Sequence, residues 1–410
     1  MIKSIRGIII ITLAGTGVYF YWNHHKNSKS PFYLDYAASN SINKHALNKF
    51  IAASQLDGNS SGLNFHAQTL KQLENESAVI IAQKLQAKQD QIVFTQSSTM
   101  ANNIVILGVA NKYPKCHFIT SKIEHKSVLN IFHHLEEKGN RVTYLDVDAN
   151  GFVDLNELQS QIKPDTKLIS IQMVNSEIGT IQNLKAIGEI AKKNSILFHS
   201  DAAQGFCKHP IDVEKCHLDF LTLSGYKIGS PKGISAFYIK DKKSLDPILF
   251  GSNSPLNPGS QPTPLIISLG EAVRHFQRDD TKLWDLSRSF VKELRLIEGV
   301  FINPSSDKLP PDFANDFGIL SISIRGVILL DLIAKLQNYS FSGGCSCLGS
   351  DKSNVIAAID KDKKLPTCTI RVSFTDKVPK EKLIQFAKDL KITIETLRKE
   401  KPYIGEGCFH

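Results

Sequence analysis

Short apolar runs alternate with helical patterns through most of this 410-residue chain, and this alternation limits the folds that the chain can adopt. The runs are rich in β-branched and aromatic residues, which is typical of strands buried on both faces of a sheet. They lie at 91–96, 117–121, 141–147, 167–174, 196–200, 219–224 and 234–239. Helical patterns lie between most of them, so the sequence predicts an α/β fold with a mainly parallel, seven-stranded sheet.

The pattern changes after about residue 262. Longer helical stretches, such as 283–299 and 380–400, are mixed there with fewer strand-like runs, such as 319–326. We therefore predict a smaller α+β domain at the carboxyl end of the chain. The predicted division is an N-terminal segment (1–30), a large domain (31–261), a small domain (262–400) and a tail (401–410).

The N-terminal segment contains an uncharged run at 7–22, with Tyr19, Tyr21 and Trp22 at its end and basic residues on both sides. Aromatic residues beside an apolar run are typical of a membrane interface. We interpret the run as an uncleaved single-pass membrane anchor, with the rest of the chain in the cytoplasm. The absence of acidic residues before Asp35 leaves an organelle targeting segment as an alternative.

Charge and cysteine content exclude some other classes of protein. The net charge is +9, but lysine and arginine are spread along the chain rather than clustered, so we predict no nucleic-acid partner. The seven cysteines show no repeated spacing, which argues against a disulfide framework. Cys345 and Cys347 have one residue between them and no matching pair elsewhere, so no metal site is predicted.

Polar residues follow the predicted strands at the points where the strands end. Ligands of parallel sheets bind at the carboxyl ends of the strands, so we expect these residues to meet in one site. They are Ser97, Ser98, Thr99, Glu124, His125, Asn175, Ser176, Glu177, Asp201, Gln204, Ser224, Tyr226 and Lys227.

One ligand suits this set of side chains. A phosphate group suits the serines and threonine at a helix start. A buried carboxylate such as Asp201 can pair with a protonated ring nitrogen, and His125 can stack on a flat ring. The amine of Lys227 can form a Schiff base with an aldehyde. These features together describe pyridoxal phosphate, PLP.

Several motifs then identify a family. The chain resembles the class V aminotransferases, and within them the cysteine desulfurases, from about residue 31 to 400. The resemblance rests on "YLDYAAS" (33–39), "GNSSGLNFHAQ" (58–68), "IVFTQSSTMANN" (92–103), "TSKIEHKSVLN" (120–130), "MVNSEIGTIQ" (173–182), "HSDAAQGFCKHPID" (199–212), "DFLTLSGYKIGSPKGISAFYI" (219–239) and "CTIRVSF" (368–374). It implies a PLP enzyme of fold-type I that forms a homodimer, with the active site at the subunit interface.

The resemblance also implies roles for individual residues. Lys227 would hold the cofactor and Asp201 would pair with its ring nitrogen. Gln204 would bond the ring hydroxyl, and His125 would stack on the ring and carry protons. The remaining predicted cofactor-binding residues are Ser98, Thr99, Ser176, Ser224, Tyr226 and Ser260, the last of these acting at the neighbouring subunit's phosphate.

The implied substrate is L-cysteine, which would be converted to L-alanine. Arg371 would bind the substrate carboxylate, and Asn175 would also contact the substrate. Cys347, in "FSGGCSC" (341–347), would take the sulfur as a persulfide and pass it to an acceptor protein. Cys345 is the alternative nucleophile.

The sequence departs from the family pattern at several site positions. Tyr226 stands where the family has histidine, Ser176 replaces asparagine and Met100 replaces an acidic residue. Asn257 replaces an arginine of the partner-subunit loop, and Ser260 replaces a threonine. Two alternatives therefore stay open: another class V enzyme (an aminotransferase, a lyase or a selenocysteine lyase-like protein), or a non-catalytic paralogue that acts as a binding partner.

Overall fold

A seven-stranded β-sheet forms the centre of the larger part of the molecule. The fold is taken from a computed structural model, which describes residues 30–304, 316, 318–343, 353–360 and 368–400. The strands within these residues are β1 (Phe32–Tyr33), β2 (Ile92–Thr95), β3 (His117–Ser121), β4 (Arg141–Leu145), β5 (Thr166–Ser170), β6 (Leu197–Asp201), β7 (Phe220–Ser224), β8 (Ser235–Ile239), β9 (Val300–Asn303), β10 (Ile319–Ile324), β11 (Tyr339–Ser340), β12 (Ser342–Gly343) and β13 (Cys368–Ser373).

Helices cover both faces of this sheet and pack on a second, smaller sheet. They are α1 (Lys44–Ala53), α2 (Phe65–Leu85), α3 (Ser98–Lys112), α4 (Lys126–Glu137), α5 (Leu155–Ser160), α6 (Leu184–Lys193), α7 (Thr263–Arg274), α8 (Asp280–Leu294), α9 (Leu329–Lys335), α10 (Asn354–Ile359) and α11 (Lys380–Glu400).

The strand order of the large sheet is β2-β8-β7-β6-β5-β3-β4. Neighbouring strands from β7 to β4 are parallel, and β8 is antiparallel to both of its neighbours. The predicted mainly parallel, seven-stranded sheet is therefore confirmed. Because β2, β3, β5, β6 and β7 run in the same direction, their carboxyl ends lie along one edge of the sheet.

Successive residues of the buried strands point to opposite faces of the sheet and fill two different cores. Phe118 and Leu168 belong to the cluster beneath α3 and α4. Their neighbours Ile119 and Ile169 belong to the cluster beneath α2, α6 and α7. Both faces are covered, which explains why the strand sequences are continuously apolar rather than alternating.

The smaller sheet is antiparallel, with the order β12-β13-β10-β9. Its core includes Phe290 of α8 and Phe386 of α11, and it also includes Leu34 from the beginning of the described chain. Strand β1 pairs with β11, and Asp35 forms a bridge with Ser373 of β13, so residues 32–35 lie beside the smaller sheet. Helix α7 instead contributes Ile266 to the core of the large sheet. The division into domains at residue 262 stays a prediction.

The prediction of a membrane-anchored protein needs correction. No helix within the residues that the structure describes is long and apolar enough to cross a membrane. The run at 7–22, on which that prediction was based, lies outside the described residues. Sixteen residues would extend only about 24 Å as a helix, less than the ~30 Å of a hydrocarbon core. A transmembrane helix, a membrane partner and a membrane-anchored localisation are therefore withdrawn.

Candidate active site

Lys227 lies on a short 3-10 turn (Tyr226–Ile228) directly after β7. Its side chain is 9% exposed and has no hydrogen bond or ion pair to another residue that the structure describes. Burial lowers the pKa of its amine to about 8, against the opposing effect of the Asp201 charge. A buried, unpaired amine with a lowered pKa can act as a nucleophile and is not a surface charge.

Gly229 allows the chain to leave this turn. It has a φ of +91°, a conformation that side-chain-bearing residues rarely adopt, and a Cβ there would lie 3.1 Å from the carbonyl oxygen of Ser41. The turn therefore packs closely against the segment before α1, and this packing fixes the position of Lys227.

Asp201 is the last residue of β6, and its carboxylate is 7% exposed. One oxygen accepts a 2.9 Å hydrogen bond from the Asn102 side-chain amide, and the other accepts a 2.9 Å bond from the backbone N–H of Ala203. Each oxygen keeps a free lone pair. The carboxylate is held in place and can still accept a bond from a ligand.

His125 caps the N-terminus of α4, and its side chain is exposed to the space above the sheet edge. Its Nδ1 atom accepts a 3.0 Å bond from the backbone N–H of Ser127 and lies 2.8 Å from the Ser127 hydroxyl. The protein around the ring lowers its pKa by partial desolvation, and the charges of Lys227 and Arg371 act in the same direction, while Asp201 opposes them.

The predicted phosphate-binding residues lie at two strand ends. Ser98 and Thr99 are the first residues of α3, where Ser97 caps the helix by accepting a bond from the Met100 N–H. The Ser224 hydroxyl is fully buried and has no hydrogen-bond partner among the residues that the structure describes. A cavity of about 400 Å³ opens along α3 and α4 and is lined by both Thr99 and His125.

Two further predicted residues already make hydrogen bonds within the protein, and a third is half-buried. The Gln204 amide donates to the Ala37 carbonyl at 2.6 Å and accepts from Lys208 at 3.1 Å. Asn175 donates to the Ile123 carbonyl and accepts from two backbone N–H groups. Tyr226 is half-buried, and burial raises the pKa of its hydroxyl. Gln204 and Asn175 each retain one amide hydrogen for a ligand.

Arg371, on β13 of the smaller sheet, reaches the same region. Its guanidinium donates to the Asp35 carboxylate at 2.8 Å, to the Ser342 hydroxyl at 3.1 Å and to the Ser176 carbonyl at 3.0 Å. Its Nε atom is buried without a partner in the described part of the chain. The Asp35 and Ser342 contacts were not predicted from the sequence, because those residues lie 336 and 29 positions away.

Not every predicted residue joins this group. Ser260 lies on an exposed loop before α7 and accepts a bond from Asn59 at 3.3 Å; no contact with the residues around Lys227 is seen in the described chain. Its predicted role at a neighbouring subunit stays a prediction. Cys345 and Cys347 lie outside the described residues.

Two carboxyl groups beside the site, the buried Glu124 and the half-buried Glu177, were not assigned a role from the sequence. Burial raises the pKa of Glu124 to about 8 and that of Glu177 to about 7. One Glu124 oxygen accepts bonds from Ser121 and from the Gln172 N–H, and the other has no described partner. Glu177 accepts a short bond from Ser353. The sequence predicted that both lie at this edge of the sheet, because they follow predicted strands, but it gave them no role.

The raised pKa of Glu124 predicts a pH dependence of stability. The unfolded chain ionises this group near pH 4.5 and the folded chain only near pH 8, so the free energy of unfolding should fall as the pH rises through that interval. Glu124→Gln lacks the carboxyl group, so we expect its stability relative to the wild type to increase from about pH 5 to about pH 8 and then level off. Urea unfolding across this range measures the difference.

Glu189→Gln is the control for this experiment, because Glu189 is exposed on α6. Its stability relative to the wild type should stay constant over the same range. A constant difference for Glu124→Gln as well would show that Glu124 is ionised in the folded protein.

The comparisons with known proteins agree with this geometry. The family model "Aminotransferase class-V" matches residues 32–385. The chain belongs to the class-V aminotransferase family. Membership of this family implies PLP as the cofactor.

Relatives within this family are named cysteine desulfurases. The chain is 36% identical over 390 residues to a protein named cysteine desulfurase IscS from Neisseria gonorrhoeae, covering 91% of this chain and 95% of that protein. It is 34% identical over 387 residues to the mitochondrial cysteine desulfurase of Saccharomyces cerevisiae, covering 91% of this chain and 76% of that protein.

Solved structures give the same result. The structure titled "SspA in complex with cysteine" has a TM-score of 0.76 and 33% identity, and the match covers 84% of this chain and 99% of that chain. A NifS-like protein has a TM-score of 0.81 and 26% identity, with 90% and 100% covered. The predicted PLP fold-type I architecture and the resemblance to cysteine desulfurases are confirmed.

Proposed function

We propose that this chain is a PLP-dependent cysteine desulfurase that converts L-cysteine to L-alanine and transfers the sulfur to a cysteine of its own. The observation that carries the proposal is the buried, unpaired amine of Lys227 at a strand end beside Asp201, in a chain whose relatives are named cysteine desulfurases.

The residues present fit the cofactor. Lys227 offers an amine for the aldehyde, Asp201 a carboxylate lone pair for the ring nitrogen, and Ser224 a buried hydroxyl that lacks a partner in the described residues. Ser98 and Thr99 offer backbone N–H groups at the start of α3 for the phosphate. When bound, PLP supplies an electron-withdrawing ring that weakens bonds at the α- and β-carbons of an amino acid.

Arg371 is the proposed site for the substrate carboxylate. Its guanidinium has a fixed planar shape, and the contacts with Asp35, Ser342 and the Ser176 carbonyl hold that plane in one orientation. The second hydrogen of Nη1 remains as a donor for the substrate, whereas Nε is buried without a described partner. Asn175 has one amide hydrogen left for the same ligand.

Cys347 is the proposed sulfur acceptor within the chain. Its thiolate forms an S–S bond with the substrate sulfur, the C–S bond of the substrate breaks, and the carbon left behind takes up a proton to give alanine. The described residues on either side of 344–352 support this role. Ser342 pairs with Arg371 in the sheet register, and Ser353 donates to Glu177. Both ends of that segment are therefore attached next to the proposed substrate site.

A homodimer is the proposed assembly. Large apolar side chains are exposed around the start of α2 and on the loop before α7: Leu63 is 91% exposed, Phe65 is 78% exposed and Phe250 is 87% exposed. Exposed apolar side chains of this size are typical of surfaces that contact a partner. In the proposed dimer Ser260 contacts the phosphate of the neighbouring subunit.

The test is the reaction itself. The purified chain, supplied with PLP, L-cysteine and a thiol reductant, should release sulfide and L-alanine in equal amounts. Keto acid in place of alanine would show an aminotransferase instead. The absence of both products, with the cofactor bound, would show a non-catalytic protein.

A further inference from the structure

A chain of hydrogen bonds joins two of the proposed cofactor-binding residues, Asp201 and His125. The Asn102 amide nitrogen donates one hydrogen to the Asp201 carboxylate at 2.9 Å and the other to the Ser127 hydroxyl at 3.0 Å. The Ser127 hydroxyl lies 2.8 Å from Nδ1 of His125. Asn102 and Ser127 have no role in the predicted site.

The direction of each bond in this path is determined by the groups present. The Asp201 carboxylate accepts, so the Asn102 nitrogen must face it; the reverse amide orientation would place oxygen against oxygen. The backbone N–H of Ser127 can only donate, and it lies 3.0 Å from Nδ1 of His125. Nδ1 is therefore an acceptor, and the proton of the neutral imidazole is on Nε2.

The path is buried at its centre. Asn102 is 0% exposed and Asp201 is 7% exposed, so both bonds from the amide lie away from water, where they are electrostatically stronger. The carbonyl oxygen of Asn102 has no partner among the described residues. Both amide hydrogens of Asn102 are donated, although its oxygen has no described partner. The Asp201 carboxylate and the Ser127 hydroxyl therefore determine the orientation of this amide.

The surroundings of His125 also favour the neutral form of its imidazole ring. Asp201 raises the pKa of the imidazole, whereas Lys227, Arg371 and Lys126 lower it, and partial desolvation lowers it further. The net direction is downward, so the neutral ring is favoured near neutral pH.

We propose that Asn102 and Ser127 are positioning residues that hold His125 as the neutral, Nε2-protonated tautomer and hold the Asp201 carboxylate in a fixed orientation. The proposal rests on the proposed function in that both of these residues would contact the cofactor. In this state His125 donates a hydrogen bond from Nε2. It can take up a second proton only at Nδ1, which requires its contacts with Ser127 to break.

This state limits the proton-carrying role that the sequence predicted for His125. A neutral ring with an occupied Nδ1 is a hydrogen-bond donor and a poor base.

The test is nitrogen NMR of the imidazole rings in ¹⁵N-histidine-labelled full-length protein without cofactor or cysteine. The chain has 13 histidines, so the His125 signals are identified as those missing from a His125→Gln sample. We expect a protonated Nε2 and an unprotonated Nδ1. In Ser127→Ala the pKa of His125 should rise by about half a unit or more, because the neutral ring loses the hydroxyl donor to Nδ1. Asn102→Ala removes the bond that orients this hydroxyl, so the pKa of His125 should change in the same direction.

Ser127→Thr keeps the hydroxyl and should restore the wild-type pKa. Asn156→Ala and Ser160→Ala, which change exposed side chains of α5, are the matched controls and should leave the His125 signals unchanged. Ser127→Ala is the decisive variant if Asn102→Ala does not fold, because Ser127 is only partly buried. A protonated Nδ1 in the wild type, or an unchanged pKa in folded Ser127→Ala, would overturn the proposal. The measurement needs no substrate, so it is independent of whether sulfide is released.

Discussion

Replacing Lys227 by alanine should abolish cysteine turnover and the covalent attachment of the cofactor. The amine is buried, unpaired in the described chain and partly deprotonated near neutral pH, and it is the proposed attachment point of the cofactor. We expect sulfide release to fall by at least about a thousandfold, which corresponds to about 4 kcal/mol of transition-state stabilisation. Borohydride reduction followed by intact-protein mass measurement should show a cofactor adduct on the wild type and none on the variant.

Two further variants separate the amine's chemistry from its charge. Lys227→Arg keeps a positive charge but cannot form the covalent bond, so it should be as inactive as the alanine variant. Lys232→Ala removes an exposed lysine on the following turn and should behave as the wild type. An adduct that persists in Lys227→Ala would place the cofactor on a different lysine.

Replacing Cys347 by alanine should separate cofactor binding from sulfur transfer. The proposed cofactor-binding residues lie at strand ends and do not include Cys347, so the variant should still bind PLP and L-cysteine and show the same spectral change on binding. Sulfide release should fall by at least about a hundredfold, or about 2.7 kcal/mol, because the acceptor thiolate is missing. A persulfide-specific alkylation assay on the protein should detect no product.

Cys345→Ala is the matched control, two positions earlier in the same segment. It should keep at least part of the activity and form the persulfide. The reverse behaviour of the two variants would make Cys345 the nucleophile. If the variant with both Cys345→Ala and Cys347→Ala released sulfide at the wild-type rate, neither cysteine would be the sulfur acceptor, and the proposed mechanism would be wrong.

The large sheet was predictable because each of its strands has a recognisable apolar sequence. Every predicted run overlaps an observed strand, since burial on both faces requires continuous β-branched and aromatic residues. Helix α1 was missed. Only Ala46 and Ala53 are buried on it, and its larger apolar residues Leu47 and Ile51 are exposed. Its packing on α7, where Ser268 donates to the Ala46 carbonyl, is a tertiary contact.

The candidate site was predictable to the extent that residues occupy strand ends. Lys227, Asp201 and His125 meet there because parallel strands end at the same edge of a sheet. The residues that hold them were not predictable in this way. Asn102 lies inside α3, one turn beyond the expected phosphate site, and its partner Asp201 is 99 positions away. Such pairings are specified by the packing of α3 on the sheet and have no local signal.

The contact between Asp35 and Arg371 has a consequence for how the enzyme is made. A ribosome releases the N-terminal part of a chain first, and domains tend to fold as they emerge. Leu34 and Asp35 emerge near the beginning, but their partners in the smaller sheet, including Arg371 and Ser373, are synthesised more than three hundred residues later. The cofactor-binding edge of the large sheet can form well before that. A nascent or truncated chain therefore lacks Arg371, the proposed substrate-carboxylate site, and we expect cysteine turnover to begin only when synthesis is nearly complete.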